Sequence, residues 1–128
     1  MARSFRVLNP ILILSLLLPF FNSGGILNPA NAQAPGQGSW CIARPSTSDE
    51  ELQRNIHYIC NEQGIDCSLI NDGGPCCNPN TYINHASVAM NIYYQNFGRN
   101  YWNCDFGRTG VIVVTDPSYD NCKFEFRQ

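Results

Sequence analysis

The sequence predicts a small α+β domain in which two α-helices pack on a short antiparallel β-sheet and disulfides staple the fold. Three observations support this fold class. Two stretches carry apolar residues at helical spacing, a β-branched run follows them, and all seven cysteines lie beyond residue 40. Because the helices precede the strands and do not alternate with them, the pattern favours α+β over α/β.

The first 32 residues are expected to be a signal peptide. A basic start precedes the apolar run of residues 11–21, which is too short for a bilayer core that needs about 20 residues. Small residues just before Gln33 fit signal-peptidase cleavage at that point. Residues 33–39 are then a flexible lead, and the domain spans residues 40–126.

The charge of the expected mature chain, residues 33–128, excludes some function classes. Six Lys or Arg stand against ten Asp or Glu, which gives a formal charge of −4. Nucleic-acid binding is not expected, because it rewards clustered positive charge. No second apolar stretch follows the leader, so we expect a soluble exported protein with neither a membrane span nor a lipid anchor.

Seven cysteines in an exported chain of this size indicate a disulfide framework. No Cys-x-x-Cys pair occurs and the two histidines stand far from any such spacing, so neither a metal site nor another cofactor is predicted. An odd count leaves one thiol free or bonded to another chain. Spacing alone does not select the pairs, since six cysteines already allow fifteen connectivities.

The first helix is predicted after a Pro-Ser-Thr-Ser segment. Its start fits a capping box formed either by Thr47 with Glu50 or by Ser48 with Glu51. Apolar residues over 52–60 then fall on one face, which indicates an amphipathic helix.

The second helix is the centre of the predicted domain. A turn rich in Gly and Pro, residues 73–79, precedes it, and Asn80 or Thr81 can cap its start. Apolar residues over 82–97 recur at steps of three and four, so one stripe of this helix is expected in the core.

The sheet is predicted at the end of the chain. Residues 111–115 form a β-branched run, the clearest strand signal. A turn over residues 116–121 follows, and residues 122–126 alternate well enough for a closing strand.

Short motifs run in a fixed order through the expected domain. They are Trp40-Cys41, Asp66-Cys67, Gly73-Gly74-x-Cys76, Pro79-Asn80-Thr81, His85-Ala86-Ser87, Tyr93-Tyr94-Gln95, Cys104-Asp105-Phe106-Gly107 and Pro117-Ser118-Tyr119 with Cys122. In order and spacing they resemble the X8 domain, the plant family 43 carbohydrate-binding module. The resemblance covers nearly all of the expected mature chain.

The resemblance implies a non-catalytic module that binds β-1,3-glucans, such as callose, in the plant apoplast or cell wall. The family occurs appended to family 17 β-1,3-glucanases, on lipid-anchored plasmodesmal proteins, and as free secreted domains such as the small olive-pollen allergen. We therefore expect a secreted, extracellular single-domain protein of this last type.

The resemblance also implies the disulfide framework. The implied pairs are Cys41 with Cys104, Cys60 with Cys67 and Cys76 with Cys122. Cys77 is left over, at a place where the family usually has an aromatic residue. Two alternatives stay open: Cys77 could replace Cys76 as the partner of Cys122, and an unpaired Cys77 could form an intermolecular disulfide.

A glucan site needs exposed aromatic rings beside amide, hydroxyl or carboxylate groups. On the second helix Tyr94 lies level with Ser87 and Asn91, about 100° from the apolar stripe that holds Tyr93. Tyr94 is therefore a candidate sugar platform, while Tyr93 is assigned to the core. An edge-of-core tyrosine with a wetted hydroxyl fits Tyr94 equally well.

Four residues in loops and turns complete the candidate binding set. Tyr101 and Trp102 sit in a polar loop and could stack on sugar, although Trp102 could instead cover the nearby disulfide. Asp105 could accept a sugar hydroxyl or cap a turn. Tyr119 lies in a Pro-Ser-Tyr turn.

Catalysis is not expected, because a glycosidase needs two positioned carboxylates. The acidic residues 49–51 belong to a helix start, where the helix dipole favours them. Asp105, Asp116 and Asp120 lie in loops, with no spacing that singles out a pair.

The alternative from another class is a small secreted lipid-carrying or inhibitor-type protein. Adjacent cysteines, here Cys76 and Cys77, also occur in plant lipid-transfer proteins. The lack of a Cys-x-Cys pair and the predicted strand at residues 111–115 argue against that class.

Overall fold

The computed structural model describes residues 37–128, so the expected signal peptide and the start of the lead lie outside the described residues. Within this range the chain forms the predicted disulfide-stapled α+β domain. Its regular elements in chain order are β1 (Trp40–Ala43), α1 (Asp49–His57), α2 (Tyr82–Asn96) and β2 (Gly110–Val113). A π-helical turn extends α1, and two 3₁₀ turns flank α2; these are Tyr58–Glu62, Ser68–Ile70 and Tyr101–Cys104.

Helix α1 begins with a capping box. The Ser48 hydroxyl accepts a hydrogen bond from the Glu51 N–H at 3.2 Å, and the Glu51 carboxylate accepts from the Ser48 N–H at 3.3 Å. Of the two boxes that the sequence allowed, this one forms. Leu52 and Ile59 are fully buried, so the predicted apolar face of α1 is the face that packs inward.

Helix α2 is the central element, since it contacts α1 and β1. The Thr81 hydroxyl caps its start by accepting from the Asn84 N–H at 3.2 Å. The predicted apolar stripe holds in the middle of the helix, where Ala86, Ala89 and Met90 are completely buried. At both ends of the stripe the large rings, Tyr82 and Phe97, are instead partly exposed.

The sheet consists of β1 and β2, which pair antiparallel with Trp40 opposite Val113 and Ala43 opposite Gly110. Gly110 is required by a close approach, because a Cβ there would lie 2.0 Å from the carbonyl oxygen of Cys104. The 3₁₀ turn that ends at Cys104 is thereby held against β2.

The closing strand predicted at residues 122–126 is wrong. Within residues 37–128, this segment joins neither strand of the sheet, and Cys122 makes only an isolated bridge with Tyr119. Side chains of α2 hold the segment instead. Asn91 donates from Nδ2 to the Glu125 carbonyl at 2.8 Å, so the partner of the segment is a helix.

The described residues contain the three disulfides that the resemblance implied, and these are Cys41–Cys104, Cys60–Cys67 and Cys76–Cys122. Cys76 is therefore the partner of Cys122, and the half-buried Cys77 carries the free thiol. The carbonyl of Cys77 hydrogen-bonds Nε2 of His85 at 2.7 Å. An intermolecular disulfide through Cys77 stays a prediction.

Candidate functional site

Aromatic side chains from four segments surround a surface groove of about 310 Å³, which we call the aromatic groove. Helix α1 with its π-helical turn, α2, and the chain that follows α2 each contribute lining residues. The lining residues are Asn55, Tyr58, Tyr93, Trp102, Asn103 and Phe106. A concave surface lined by rings and a few polar groups is typical of a small-ligand site.

Tyr93 is the centre of this arrangement. Its ring stacks on Phe97 with centroids 4.2 Å apart, and Phe106 meets it edge-on at 5.3 Å. Tyr58 lies tilted against it at 6.1 Å. Because aromatic pairs at these separations attract each other, the rings hold one another in place before any ligand arrives.

Trp102 is the exposed member of the groove. Its side chain is 63% exposed, and the ring of Tyr101 packs edge-on against it at 5.2 Å. Tyr58, across the groove, is 38% exposed. Large apolar groups that cluster on the surface of a protein often mark a binding site.

The polar members of the groove are two amides. Asn55 donates from Nδ2 to the Thr109 hydroxyl at 2.8 Å, and the Asn103 Oδ1 accepts from the Asn100 N–H at 3.1 Å. Asn55 Nδ2 also donates to the Met90 sulfur at 3.7 Å, so protein bonds fix the orientation of both amides. The other end of each amide can serve a ligand, since an amide has both donor and acceptor capacity.

Phe106 reaches the groove through an unusual loop. Three consecutive residues, Phe106, Gly107 and Arg108, have φ values of 42°, 65° and 70°. Left-handed conformation costs a non-glycine residue roughly 1–2 kcal/mol. Thr109 offsets that cost, because its hydroxyl donates to the Phe106 carbonyl at 2.6 Å. Because Asn55 donates to the same hydroxyl, hydrogen bonds connect α1 to this loop.

The ionisation of Tyr93 follows from its position. Partial burial first, and then the neighbouring Tyr58 hydroxyl, raise the pKa of Tyr93 above its ordinary value. The phenol is therefore neutral at physiological pH. No Asp, Glu, Lys or Arg lines this groove, so it suits an uncharged ligand.

The structure overturns the exposed platform expected at Tyr94. Tyr94 is only 2% exposed, and Ser87 and Asn91 are buried with it. Asn91 Oδ1 accepts from the Cys41 N–H at 3.1 Å, and the Ser87 hydroxyl accepts from the Ala43 N–H at 3.0 Å. These are alternate N–H groups of β1 that point away from β2, so the polar stripe of α2 takes the place of a third strand.

Two other candidates lie apart from the groove. The Tyr119 hydroxyl donates to the Asn78 carbonyl at 2.7 Å and lies 3.0 Å from Asn84 Oδ1, so it ties down the turn before α2. Asp105 is exposed and does not line the groove, and its backbone carbonyl accepts from the Thr109 N–H at 3.0 Å. Trp102, with Tyr101 beside it, is the candidate that the structure brings to the groove. Its binding role stays a prediction.

Several residues of the groove were not predicted. Tyr93 was assigned to the core because it continues the apolar stripe, and that assignment missed its half-exposed edge. Tyr58 stands one position before the buried Ile59 and so turns away from the core, which is a signal that could have identified it. Phe106 carried no such signal, since its loop geometry is not encoded by a recognisable turn.

Two further properties concern the described part of the chain. Within residues 37–128, no helix is long and apolar enough to cross a membrane. No group of three or more His, Cys, Asp or Glu in that range could hold a metal ion.

Known proteins are similar to this chain in sequence. The model of the X8 domain matches residues 39–111, a segment that contains every residue lining the aromatic groove. The major pollen allergen Ole e 10 of Olea europaea is 48% identical over 92 residues, which cover 70% of this chain and 75% of the allergen. A glucan endo-1,3-beta-D-glucosidase of Olea europaea is 48% identical over 102 residues, or 76% of this chain and 22% of the glucosidase.

A third relative is plasmodesmata callose-binding protein 2 of Arabidopsis thaliana. It is 36% identical over 86 residues, which cover 67% of this chain and 44% of the relative. The chain thus spans about a fifth of the glucosidase, under half of the callose-binding protein and three quarters of the allergen.

Proposed function

The chain belongs to the X8 domain family, and on that premise we propose that it is a non-catalytic module that binds β-1,3-glucan in the aromatic groove. The observation that carries the proposal is the exposed Trp102 ring in a groove with Tyr58 and Tyr93. Two relatives bear names that refer to this polymer, a glucan endo-1,3-beta-D-glucosidase and a callose-binding protein. Family membership also removes the support for the lipid-carrying alternative.

The groove offers what a glucose unit needs. A pyranose ring presents C–H faces, which pack on the faces of aromatic rings, and hydroxyls at its rim, which need hydrogen bonds. Trp102 supplies an accessible ring face, and the rim amides Asn55 and Asn103 supply donors and acceptors. Because the other rings of the groove and both amides are already held by protein contacts, binding orders few side chains besides Trp102, which lowers its entropic cost.

The chemistry of the groove supports binding without hydrolysis. Glycoside hydrolysis uses a proton-donating carboxylic acid and a second carboxylate across the scissile bond. The residues that line the aromatic groove include neither Asp nor Glu. We therefore propose that the protein binds the polymer and leaves it intact.

We further propose that the protein acts outside the cell, in the plant cell wall. Three disulfides staple the described domain, and such bonds persist in oxidising compartments. The basic and apolar leader before Gln33 has the pattern of a secretory signal.

The test is affinity electrophoresis of the oxidised protein in gels that contain laminarin, with cellulose and xylan as comparisons. We expect retardation by the β-1,3-glucan alone. Trp102→Ala should weaken binding about fivefold, because loss of one stacked ring removes roughly 1 kcal/mol of binding free energy. The release of reducing sugar from laminarin should stay at background.

Tyr82→Ala is the matched control. Tyr82 is also an exposed ring, 44% accessible, but it stands at the other end of α2 and lines no part of the aromatic groove. This variant should bind as the wild type does. Equal weakening by both variants, or no retardation of the wild type, would contradict the proposal.

A further inference from the structure

A second groove adjoins the aromatic groove along α1. It has a volume of about 650 Å³, and we call it the polar groove. Ionisable side chains set it apart, and they are Glu50, Arg54, His57 and Glu62. Asn55 and Tyr58 line both grooves, so the two form one continuous surface with the Tyr58 ring at the junction.

The basic side chains of the polar groove each lie near a carboxylate, but these contacts are weak. Arg54 lies 3.4 Å from Glu50, and His57 Nε2 lies 3.5 Å from Glu62. All four side chains are more than half exposed, and exposed contacts of this kind contribute little to stability. They can therefore exchange part of their pairing for hydrogen bonds to a ligand at little cost.

The residue types favour an uncharged polyhydroxyl ligand. Two carboxylates repel a polyanion, whereas a guanidinium and carboxylates together bind the donor and acceptor sides of neighbouring hydroxyls. The aromatic groove, which lacks charged residues, supplies ring faces, and the polar groove supplies charge-assisted hydrogen bonds. A single polymer with both ring faces and hydroxyls can occupy the whole surface.

We propose that a bound β-1,3-glucan chain runs from the aromatic groove across Tyr58 into the polar groove, so that the protein contacts several consecutive glucose units. The inference rests on the proposed function and extends it to the length of the ligand. Short oligosaccharides occupy the aromatic groove, and longer ones also reach Arg54. Affinity therefore rises with chain length. Arg54 contributes to the binding of long oligosaccharides and does not contribute to the binding of short ones.

Isothermal titration calorimetry with laminaribiose, laminaritriose and laminarihexaose tests the inference. Wild-type affinity should increase along the series. Arg54→Ala should weaken laminarihexaose binding about fivefold, the size expected for losing one hydrogen bond at an exposed site, and leave laminaribiose binding unchanged. The substitution should not disturb the fold, because Arg54 is exposed and its pairing with Glu50 contributes little to stability.

Lys123→Ala is the charge-matched control, since Lys123 is exposed and lines neither groove. It should bind every oligosaccharide as the wild type does. Equal affinity of the wild type for laminaribiose and laminarihexaose would overturn the extension alone, as would an Arg54→Ala variant that keeps full affinity for laminarihexaose. A wild type that binds no β-1,3-glucan of any length would overturn the proposed function as well.

Discussion

Tyr93 and Tyr94 are neighbours on one helix and occupy opposite kinds of environment. The ring of Tyr93 is partly exposed, packs among Tyr58, Phe97 and Phe106, and lines the aromatic groove. Tyr94 is buried, and its hydroxyl bonds that of Ser39 at 2.9 Å. A tyrosine with amide neighbours can therefore belong to a ligand site or to the buried interior of the domain.

The difference lies in what the polar groups satisfy. The buried polar stripe of α2, made of Ser87, Asn91, Tyr94 and Gln95, bonds mainly to backbone and serves the strand β1 and the C-terminal segment. Gln95, for example, donates to the Ser39 carbonyl at 2.9 Å and accepts from the Arg127 N–H at 3.0 Å. The amides of the aromatic groove use one end for the protein and present the other. The stripe should therefore control stability, and the groove should control affinity.

The largest effect is expected from removing the disulfide between the two regions. Cys41 belongs to β1 and Cys104 ends the turn that carries Trp102, and their bond closes 63 residues. The loop-entropy model gives such a bridge roughly 4 kcal/mol. The double variant Cys41→Ser with Cys104→Ser should therefore unfold or melt far below the wild type in thermal denaturation followed by circular dichroism.

Cys77→Ser is the control for this prediction, because Cys77 carries no disulfide within the described residues. Its melting temperature should match that of the wild type. A double variant that also melts with the wild type would show that the bridge contributes little to stability.

A smaller loss of stability is expected from Asn91→Leu. The change leaves the Cys41 N–H and the Glu125 carbonyl without their side-chain partner, at about 1–3 kcal/mol in total because the Glu125 carbonyl is only partly buried. Urea denaturation should report this loss, while laminarin affinity measured well below the transition stays unchanged. Asn61→Leu, at an exposed asparagine of the π-helical turn, is the control, and its stability should be that of the wild type. If Asn91→Leu weakened glucan binding in fully folded protein, stability and affinity would not separate.

The smallest effect is expected from Tyr94→Phe. The ring remains, and only the bond to the Ser39 hydroxyl is lost, which corresponds to about 1 kcal/mol. Affinity for laminarin should be that of the wild type in the same gel that resolves Trp102→Ala. A Tyr94→Phe variant as weak as Trp102→Ala would give the buried Tyr94 hydroxyl a role in affinity and contradict the separation of the two regions.

Much of the fold could be predicted because its signals are local. Capping residues such as Ser48 and Thr81 mark the helix starts, and the apolar stripe of α2 marks its buried side. The partner of β2 could not be predicted in this way. Trp40 and Val113 are far apart in sequence, and a four-residue strand has too little alternation to be recognised. The C-terminal segment looked like a strand, but Asn91 supplies its hydrogen bond.

The site was predictable only where one residue sufficed. Trp102 was a candidate because a large ring in a polar loop is exposed by default. The rest of the groove arises from tertiary packing, which brings Tyr58, Tyr93 and Phe106 together from three segments. The helical period placed Tyr94 off the apolar stripe, but it does not report that β1 covers that side of the helix.

The position of the Cys41–Cys104 disulfide has a practical consequence for making the protein. The bridge that secures β1 also ends the turn that carries Trp102, so a chain oxidised with other partners lacks an ordered glucan surface as well as a stable core. Under the proposed function, retention on an immobilised β-1,3-glucan should therefore select correctly oxidised molecules from a refolding mixture. Six bonded cysteines beside a free Cys77 make such mispairing a real hazard, and the ligand itself becomes the means of quality control.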